Sequence, residues 1–325
     1  MDAMIIVNPH AHSGIAPEQL ETSRRDISLQ LKDALQLDNI EWRETQHPGH
    51  AKELAEEAVR KRYGYVFAAG GDGTVNEVLN GIMGVKLEPI QRPTFGVLPF
   101  GTSNDFFAAL KSAEASRKVE DDNLTLSLDV GHVLFDGVER YFCLTTGIGL
   151  FSWANEQYLQ ASRIFGRRFA HIPAAIMTII SYQFLPNVQI SRDGKQMRSR
   201  RILCAIVNNS PVIAGGTPVT PDAKIDDGQL DVCIIKPVSW LHLLWLMLEI
   251  TTKTHTHSRS IELGRIRELI VTARQPLPIH VDGELVPEID SKARRMKVDV
   301  IPSALRVVVP SICEIKPAEL VESAT

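Results

Sequence analysis

The chain has 325 residues, 44% of them hydrophobic and 23% charged, which is the composition of a globular protein long enough for two domains with substantial cores. A net charge of −4 argues against a nucleic-acid binder, and the four cysteines stand too far apart for metal-ligand or Cys-x-x-Cys spacing. No run reaches the ~18 uninterrupted apolar residues of a membrane span.

The chain enters at once on an apolar strand, Met4-Ile5-Ile6-Val7, followed by the small polar loop Asn8-Pro9-His10-Ala11-His12-Ser13-Gly14. With no signal-peptide pattern at its start, a reducing, cytosolic setting is expected, and Cys143, Cys204, Cys233 and Cys313 read as buried free thiols. Thr45 follows a short strand, and residues 53–60 have amphipathic helical spacing. Residues Tyr65-Val66-Phe67-Ala68-Ala69 have the apolar, β-prone character of a buried parallel strand. They run into Gly70-Gly71-Asp72-Gly73-Thr74-Val75-Asn76-Glu77, after which Val75, Val78, Leu79 and Ile82 fall at helical spacing. Glycines permit close approach of a ligand, and the helix start beyond them favours phosphate. Thr74 and Glu77 have capping-box spacing. An aspartate inside a phosphate cradle makes sense if it holds Mg²⁺ or meets a hydroxyl about to be phosphorylated.

The same design returns at once. The strand Thr94-Phe95-Gly96-Val97-Leu98-Pro99 leads into Phe100-Gly101-Thr102-Ser103-Asn104-Asp105, then a helical start at Phe106, with cap spacing repeated by Thr102 and Asp105. Three strand ends with small polar residues belong to one crevice if the strands are parallel neighbours, because open α/β sheets bind ligands at their carboxyl ends. After Asp129-Val130-Gly131 the pattern changes to shorter β-rich runs at 132–135, 141–146, 188–191, 201–207, 230–235, 269–272, 278–281, 297–301 and 305–309. This spacing predicts an all-β sandwich. Asp226-Asp227-Gly228 and Asp282-Gly283-Glu284 are turn signals within it. His255 and His257 read as a solvated loop, and 197–201 as a basic, solvated hairpin end. Trp153, Tyr158, Ile164, Phe165 and Phe169, mixed with Arg163, Arg167 and Arg168, suit either an interfacial helix on anionic lipid or a helix packed on the sandwich. The apolar stretches 172–185 and 240–250 are too short to span a bilayer.

Asn8-Pro9…Gly14, Gly70 to Val78, Gly96 to Phe106, Ala223 to Val232 and His280 to Glu284 together resemble the diacylglycerol kinase catalytic-domain family, which includes bacterial lipid kinases and the sphingosine and ceramide kinases. The resemblance runs over roughly residues 5 to 310; the Gly-Gly-Asp-Gly-Thr element alone is also similar to NAD kinases and phosphofructokinases. It implies an α/β nucleotide-binding domain over 1–130, an antiparallel β-sandwich for the lipid acceptor over 131–304, and a segment 305–325 that returns to the first domain. Nucleotide and lipid would meet between the two domains.

The resemblance also implies roles. ATP phosphates would lie on Gly70, Gly71, Asp72, Gly73, Thr74, Val75, Asn76 and Glu77, with Asn8, Thr45, Thr102 and Asp105 around them. Asp72 and Asp105 would contact Mg²⁺, and Asp129 would either join them or brace the domain junction. Asp282 or Glu284, with a slight preference for Glu284, would accept the hydroxyl proton. A second Mg²⁺ would use Asp227 and the carbonyls of Lys224 and Gln229. The loop Asn208-Asn209-Ser210-Pro211-Val212-Ile213-Ala214-Gly215-Gly216 departs from the family pattern, which would suit a different acceptor.

The expectation is therefore an ATP-dependent lipid kinase acting on diacylglycerol or a related lipid alcohol at the inner face of a membrane. Peripheral membrane contact is expected, no nucleic-acid partner, and homodimerisation is left open. The alternatives are a soluble NAD or sugar kinase, or a non-catalytic lipid or nucleotide sensor on the same fold. Neither a P-loop Gly-x-x-x-x-Gly-Lys-[Ser/Thr] nor a Gly-x-Gly-x-x-Gly run is present.

Overall fold

Apolar runs punctuated by glycine and proline become strands here with little displacement. In this computed structural model, the residues described are 1–11, 17–116, 124–165, 173–174, 177–178, 184–197, 199–213, 215–285 and 293–314. The side chains of 17–22, 155, 156, 159, 163, 165, 186, 284 and 285 lie outside that description. The chain divides into two units, Met1–Leu126 with Arg306–Thr325, and Ser127–Leu305.

The first unit contains β1 (Ala3–Val7), α1 (Pro17–Leu35), β2 (Ile40–Glu44), α2 (His50–Arg60), β3 (Tyr65–Gly70), α3 (Asp72–Gly84), β4 (Thr94–Pro99) and α4 (Asp105–Ala115). Its strands pair in parallel in the order β4-β3-β1-β2. The register sets Val7 against both Ala69 and Glu44, and Gly70 against Pro99, so the carboxyl ends of all four strands share one edge. Strands β1 and β3 are buried almost throughout, which is why they read as unbroken apolar runs rather than alternating ones. Residues from Arg306 onward complete this unit: Val307 pairs with Phe95, and the short helix Pro310–Cys313 is held by Gln30, whose Nε2 donates to the Ile312 carbonyl at 2.6 Å.

The second unit has β5 (Thr125–Phe135), β6 (Val138–Phe142), β7 (Thr145–Gly149), α5 (Leu150–Phe165), β8 (Leu185–Arg192), β9 (Lys195–Gln196), β10 (Arg200–Ile202), β11 (Cys204–Asn208) and β12 (Leu230–Ile235). There follow a helix Trp240–Thr251 and then β13 (Ile261–Ile266), β14 (Glu268–Thr272), β15 (Ile279–Val281), β16 (Glu284–Leu285) and β17 (Arg295–Val308). A six-stranded antiparallel sheet runs β13-β12-β11-β7-β15-β16. The other sheet has the order β10-β8-β14-β17, with β5 paired to β17 and β6. Between them lies a core that includes Leu230, Val232, Ile234, Val188, Ile190, Leu269, Val271, Met296 and Val298. On β11 and β12 the alternate residues Cys204, Ile206, Cys233 and Ile235 face a second cluster, built with Leu243, Leu246 and Ile250 of the Trp240–Thr251 helix. Both faces of this sheet are thus covered, which explains why its central strands carry no polar alternation.

The differences from the sequence reading have local causes. The runs 297–301 and 305–309 are one strand, β17, that carries Pro302 and a left-handed Ser303 (φ 47°) as an irregularity. The run 141–146 is cut after Phe142, and 201–207 after Ile202. Strand β13 has no counterpart in the sequence reading, since its apolar positions are diluted by Glu262, Gly264 and Arg265. His255 is fully buried and bonds the Val219 carbonyl through Nε2 at 2.9 Å, so only His257 of that pair belongs to a solvated turn. The four cysteines are free and buried, and burial pushes Cys233 and Cys313 up to about 12. Arg200 is not solvated but pairs with Glu262 at 2.7 Å.

Candidate functional site

The carboxyl edge of the first unit's sheet is assembled by side chains that hold four strand ends together. Asn8, just past β1, donates from Nδ2 to the Thr74 hydroxyl at 3.2 Å and accepts the His10 amide on Oδ1 at 3.0 Å. Its own amide bonds the Ala69 carbonyl at 2.9 Å, and the Thr45 amide bonds the Val7 carbonyl at 2.9 Å. The loops after β3 and β4 touch glycine on glycine. A Cβ on Gly101 would fall 2.3 Å from the Gly71 Cα, and one on Gly70 would fall 2.5 Å from the Thr74 hydroxyl. Any larger residue would prise the two loops apart, so glycine is required by space rather than by dihedral angle.

Helix α3 starts at Asp72 with Gly71 as its N-cap and no side-chain cap. Thr74 and Glu77 therefore lie inside the helix, and the capping box expected from their spacing does not form. The Glu77 carboxylate instead accepts the amides of Gly49 (3.0 Å) and Ala51 (3.1 Å), capping α2. The second expected cap is displaced in the same way. Helix α4 starts at Asp105 after Asn104, which is left-handed at φ 51°. Asn104 Oδ1 accepts the Gly101 amide at 3.0 Å and its Nδ2 donates to the Gly101 carbonyl at 2.8 Å, which shapes the 100–103 loop. Thr102 and Ser103 are left exposed at the tip. The cap of α4 comes from Asp72, whose oxygens accept the amides of Asp105 (3.2 Å) and Phe106 (3.1 Å).

Asp72 is half-buried and Asp105 buried. Burial first, and the Asp105 charge as a smaller cause, hold Asp72 above the ordinary aspartate value, against the lowering effect of the two amides. Two neighbouring carboxylates at the starts of α3 and α4, the Asp72 pKa raised, form a donor set that a hard divalent cation relieves. The first turn of α3 leaves amides with no intrahelical acceptor, which suits phosphate oxygens. Gly70, Gly71, Gly73, Val75 and Asn76 all lie on this strand-to-helix turn. The cavity of about 620 Å³ in the same unit is elsewhere: it is lined by Met1, Gly64, Tyr65 and Thr94 at the amino ends of the strands.

In the second unit, Asp129 is buried and braces two turns. Oδ2 accepts the Gly228 amide at 2.5 Å and Oδ1 the Ser303 amide at 2.7 Å, so its oxygens serve this bracing. Asp227 Oδ1 accepts the Gln229 amide at 3.1 Å, and Arg265 approaches Asp227 at 3.9 Å and Asp231 at 3.8 Å. Asp231 was not singled out from the sequence. Burial raises it to about 6, and its buried Oδ2 has no hydrogen-bond partner. An orphaned carboxylate oxygen within reach of the Asp227 charge is a donor that suits a hard cation.

Asp282, left-handed at φ 45° and 8% exposed, sits on the turn between β15 and β16. Oδ1 accepts the amides of Leu144 (3.0 Å) and Thr145 (2.8 Å); Oδ2 accepts the Cys143 amide (3.1 Å) and thiol (3.6 Å). The Glu284 side chain lies outside the described residues, although its backbone is in β16.

Two family models match the chain: the diacylglycerol kinase catalytic domain over residues 2–133, and the YegS C-terminal NAD kinase beta sandwich-like domain over residues 147–309. A diacylglycerol kinase of Staphylococcus epidermidis is 30% identical over 250 residues, 74% of this chain and 74% of that protein. One of Staphylococcus carnosus is 28% identical over 243 residues, 74% of this chain and 76% of that protein. The crystal structure of a diacylglycerol kinase from Bacillus anthracis superposes with a TM-score of 0.65 at 20% identity, covering 96% of this chain and 98% of that one, a likeness of fold.

Proposed function

Since the chain belongs to the diacylglycerol kinase family, we propose that it is an ATP-dependent lipid kinase which phosphorylates the hydroxyl of diacylglycerol or a related lipid alcohol, in peripheral contact with the inner face of a membrane. The observation that carries this reading is the shared edge of four parallel strand ends, closed by the Gly71–Gly101 contact and fronted by two helix starts. ATP phosphates are held there by the α3 amides and by Thr102, with Asn8 and Thr45 shaping the cradle. Asp72 and Asp105 in the first unit, and Asp227 with the carbonyls of Lys224 and Gln229 in the second, would hold Mg²⁺. When bound, Mg²⁺ neutralises charge on the transferring phosphoryl group.

Glu284 is assigned as general base. The occupied oxygens of Asp282 support this choice, because a carboxylate that already accepts three amides and a thiol has little capacity left for a substrate proton. The lipid hydroxyl oxygen forms a bond to the γ-phosphorus, the bond from that phosphorus to the β-γ bridging oxygen breaks, ADP leaves, and the hydroxyl proton passes to Glu284. Asp282 positions the turn that carries it. Homodimerisation is compatible with this reading and has no part in the chemistry.

The test is transfer from γ-labelled ATP with Mg²⁺ to a panel of lipid alcohols in mixed micelles. A labelled lipid is expected and identifies the acceptor. Tight ATP binding with no labelled lipid would turn the reading to a soluble acceptor, NAD first, or to a sensor. Glu284→Gln is expected to lower turnover by ~10²–10⁴-fold with nucleotide affinity unchanged. A change in affinity alone would remove Glu284 from the role of base.

A further inference from the structure

The Trp240–Thr251 helix is apolar on both sides. Leu243, Leu246 and Ile250 are buried against the outer face of the six-stranded sheet. On the opposite side Trp240 is 53% exposed, Leu241 62%, Leu244 41%, Trp245 62%, Met247 58% and Leu248 61%. Six of the thirteen exposed large hydrophobic residues described in the whole chain thus lie on one twelve-residue helix. Scattered exposed leucines are ordinary, but a contiguous apolar face of this kind marks a surface that something covers.

We infer that this face docks on the surface of an anionic lipid bilayer, an inference that rests on the lipid-kinase reading only for its biological purpose. The charge around the helix favours that occupant. Between Lys236 and Ser260 the sequence has three cations, Lys236, Lys253 and Arg259, and a single acid, Glu249. Glu249 is turned to the helix itself, accepting the Trp245 indole N–H at 2.9 Å. Lys236 is engaged with Glu262 at 3.4 Å, but Lys253 and Arg259 are exposed and make no ion pair among the described residues. His242 and His257 add exposed imidazoles to the same rim. An apolar face with a cationic border is the pattern that binds acyl chains and anionic headgroups together. The two indoles suit the headgroup boundary, where one end of the ring is dry and the other wet.

Length sets the mode. Twelve residues make a helix of ~18 Å, short of the ~30 Å hydrocarbon core, so the helix lies in the interface and does not cross it. A second copy of the chain is the less suitable occupant. Two-fold pairing through this face would set the borders of Lys253 and Arg259 near each other, with one internally engaged acid per copy to offset them. The helix also differs from the segment that the sequence suggested for membrane contact. There Trp153 and Tyr158 are half-buried, and the side chains of Arg163 and Phe165, with Arg167, Arg168 and Phe169, lie outside the described residues.

The experiment uses the full chain with vesicles of phosphatidylcholine, with and without phosphatidylglycerol, in a co-sedimentation assay. A double variant, Leu241→Glu with Leu248→Glu, changes two exposed positions and leaves the packed face intact. Binding to phosphatidylglycerol vesicles is expected for the native chain and should fall at least ~tenfold in the variant. Brominated phosphatidylcholine should quench the fluorescence of Trp240 and Trp245, and Trp240→Phe with Trp245→Phe should remove that quenching. Phosphorylation of vesicle-borne diacylglycerol should fall with binding, while that of a water-soluble short-chain diacylglycerol stays within ~twofold. Equal vesicle binding by native chain and variant would overturn the inference. So would a native dimer that ignores vesicles and becomes monomeric in the variant. Vesicle binding that the variant abolishes supports the inference even if no lipid is phosphorylated; that result would count against the kinase reading alone.

Discussion

Asp72 and Asp282 stand on Asp-Gly turns at strand ends, one in each unit, and both give their oxygens to backbone amides of a distant segment. The degree differs. Asp72 caps the start of α4 with two amides and keeps a half-exposed side next to Asp105. Asp282 is buried, and three amides and a thiol fill the four acceptor positions of its carboxylate. The same dipeptide thus yields one aspartate that can still meet a ligand and one committed to holding a turn. What separates them is the number of donors aimed at each carboxylate, which neither residue type nor spacing encodes.

Substituting Asp72 by alanine gives the largest expected effect and tests the first half of that contrast. Phosphoryl transfer should fall by at least ~10²-fold, because the carboxylate that would hold Mg²⁺ at the phosphates is lost. Loss of the α4 cap should cost only ~1 kcal/mol in a urea melt. Near-normal turnover with the same stability loss would make Asp72 a cap and nothing more. Asp282→Ala tests the other half. It orphans three buried amides at ~1–3 kcal/mol each, so the free energy of unfolding in the same urea melt should drop by ~3 kcal/mol or more. A loss of turnover without loss of stability would return Asp282 to the list of candidate bases.

The contrast also marks how far the sequence could be read. Strands β3, β4 and β12 end where glycine, proline or charge interrupts an apolar run, and their expected limits fall within a residue of the observed ones. The shared strand edge followed from parallel pairing, since every Gly-rich loop comes directly after a strand. Capping failed because capping-box spacing is a local signal, whereas here α2 is capped by Glu77 and α4 by Asp72, each from another helix start. Residues 143–145 carry the amides around Asp282 and are ordinary strand residues, with nothing in their side chains to announce the role. Asp231 read only as one residue of the β run 230–235; its orphaned oxygen arises from burial on β12 opposite Arg265 of β13. The apolar character of residues 240–250 was visible, but which face packs and which is left bare depends on the sheet beneath.

The smallest expected effect concerns a third carboxylate arrangement, in which the partner is a titratable side chain instead of a fixed amide. His132 lies between Asp299, 2.8 Å from Nδ1, and Glu139, 2.9 Å from Nε2, and meets the Tyr141 ring in a tilted arrangement, centroids 5.3 Å apart. Lys297 also pairs with Asp299 at 2.8 Å and with Glu268 at 3.0 Å. The hydrogen bond to Asp299 raises the His132 pKa above its ordinary value, and burial opposes it. A raised histidine binds its proton more tightly when folded than when unfolded. Its contribution is therefore complete below the unfolded value of ~6.5 and is lost as pH rises through the folded value. Thermal unfolding followed from pH 6 upward should show the midpoint falling over that window in the native chain and flattening in His132→Asn. Asp282 is held by three amides, which do not titrate, and has no imidazole among its partners given above, so this histidine window belongs to His132 within the comparison. An unchanged slope in His132→Asn would mean that Lys297 already satisfies Asp299 and that the imidazole rides on the pair as a neutral ring.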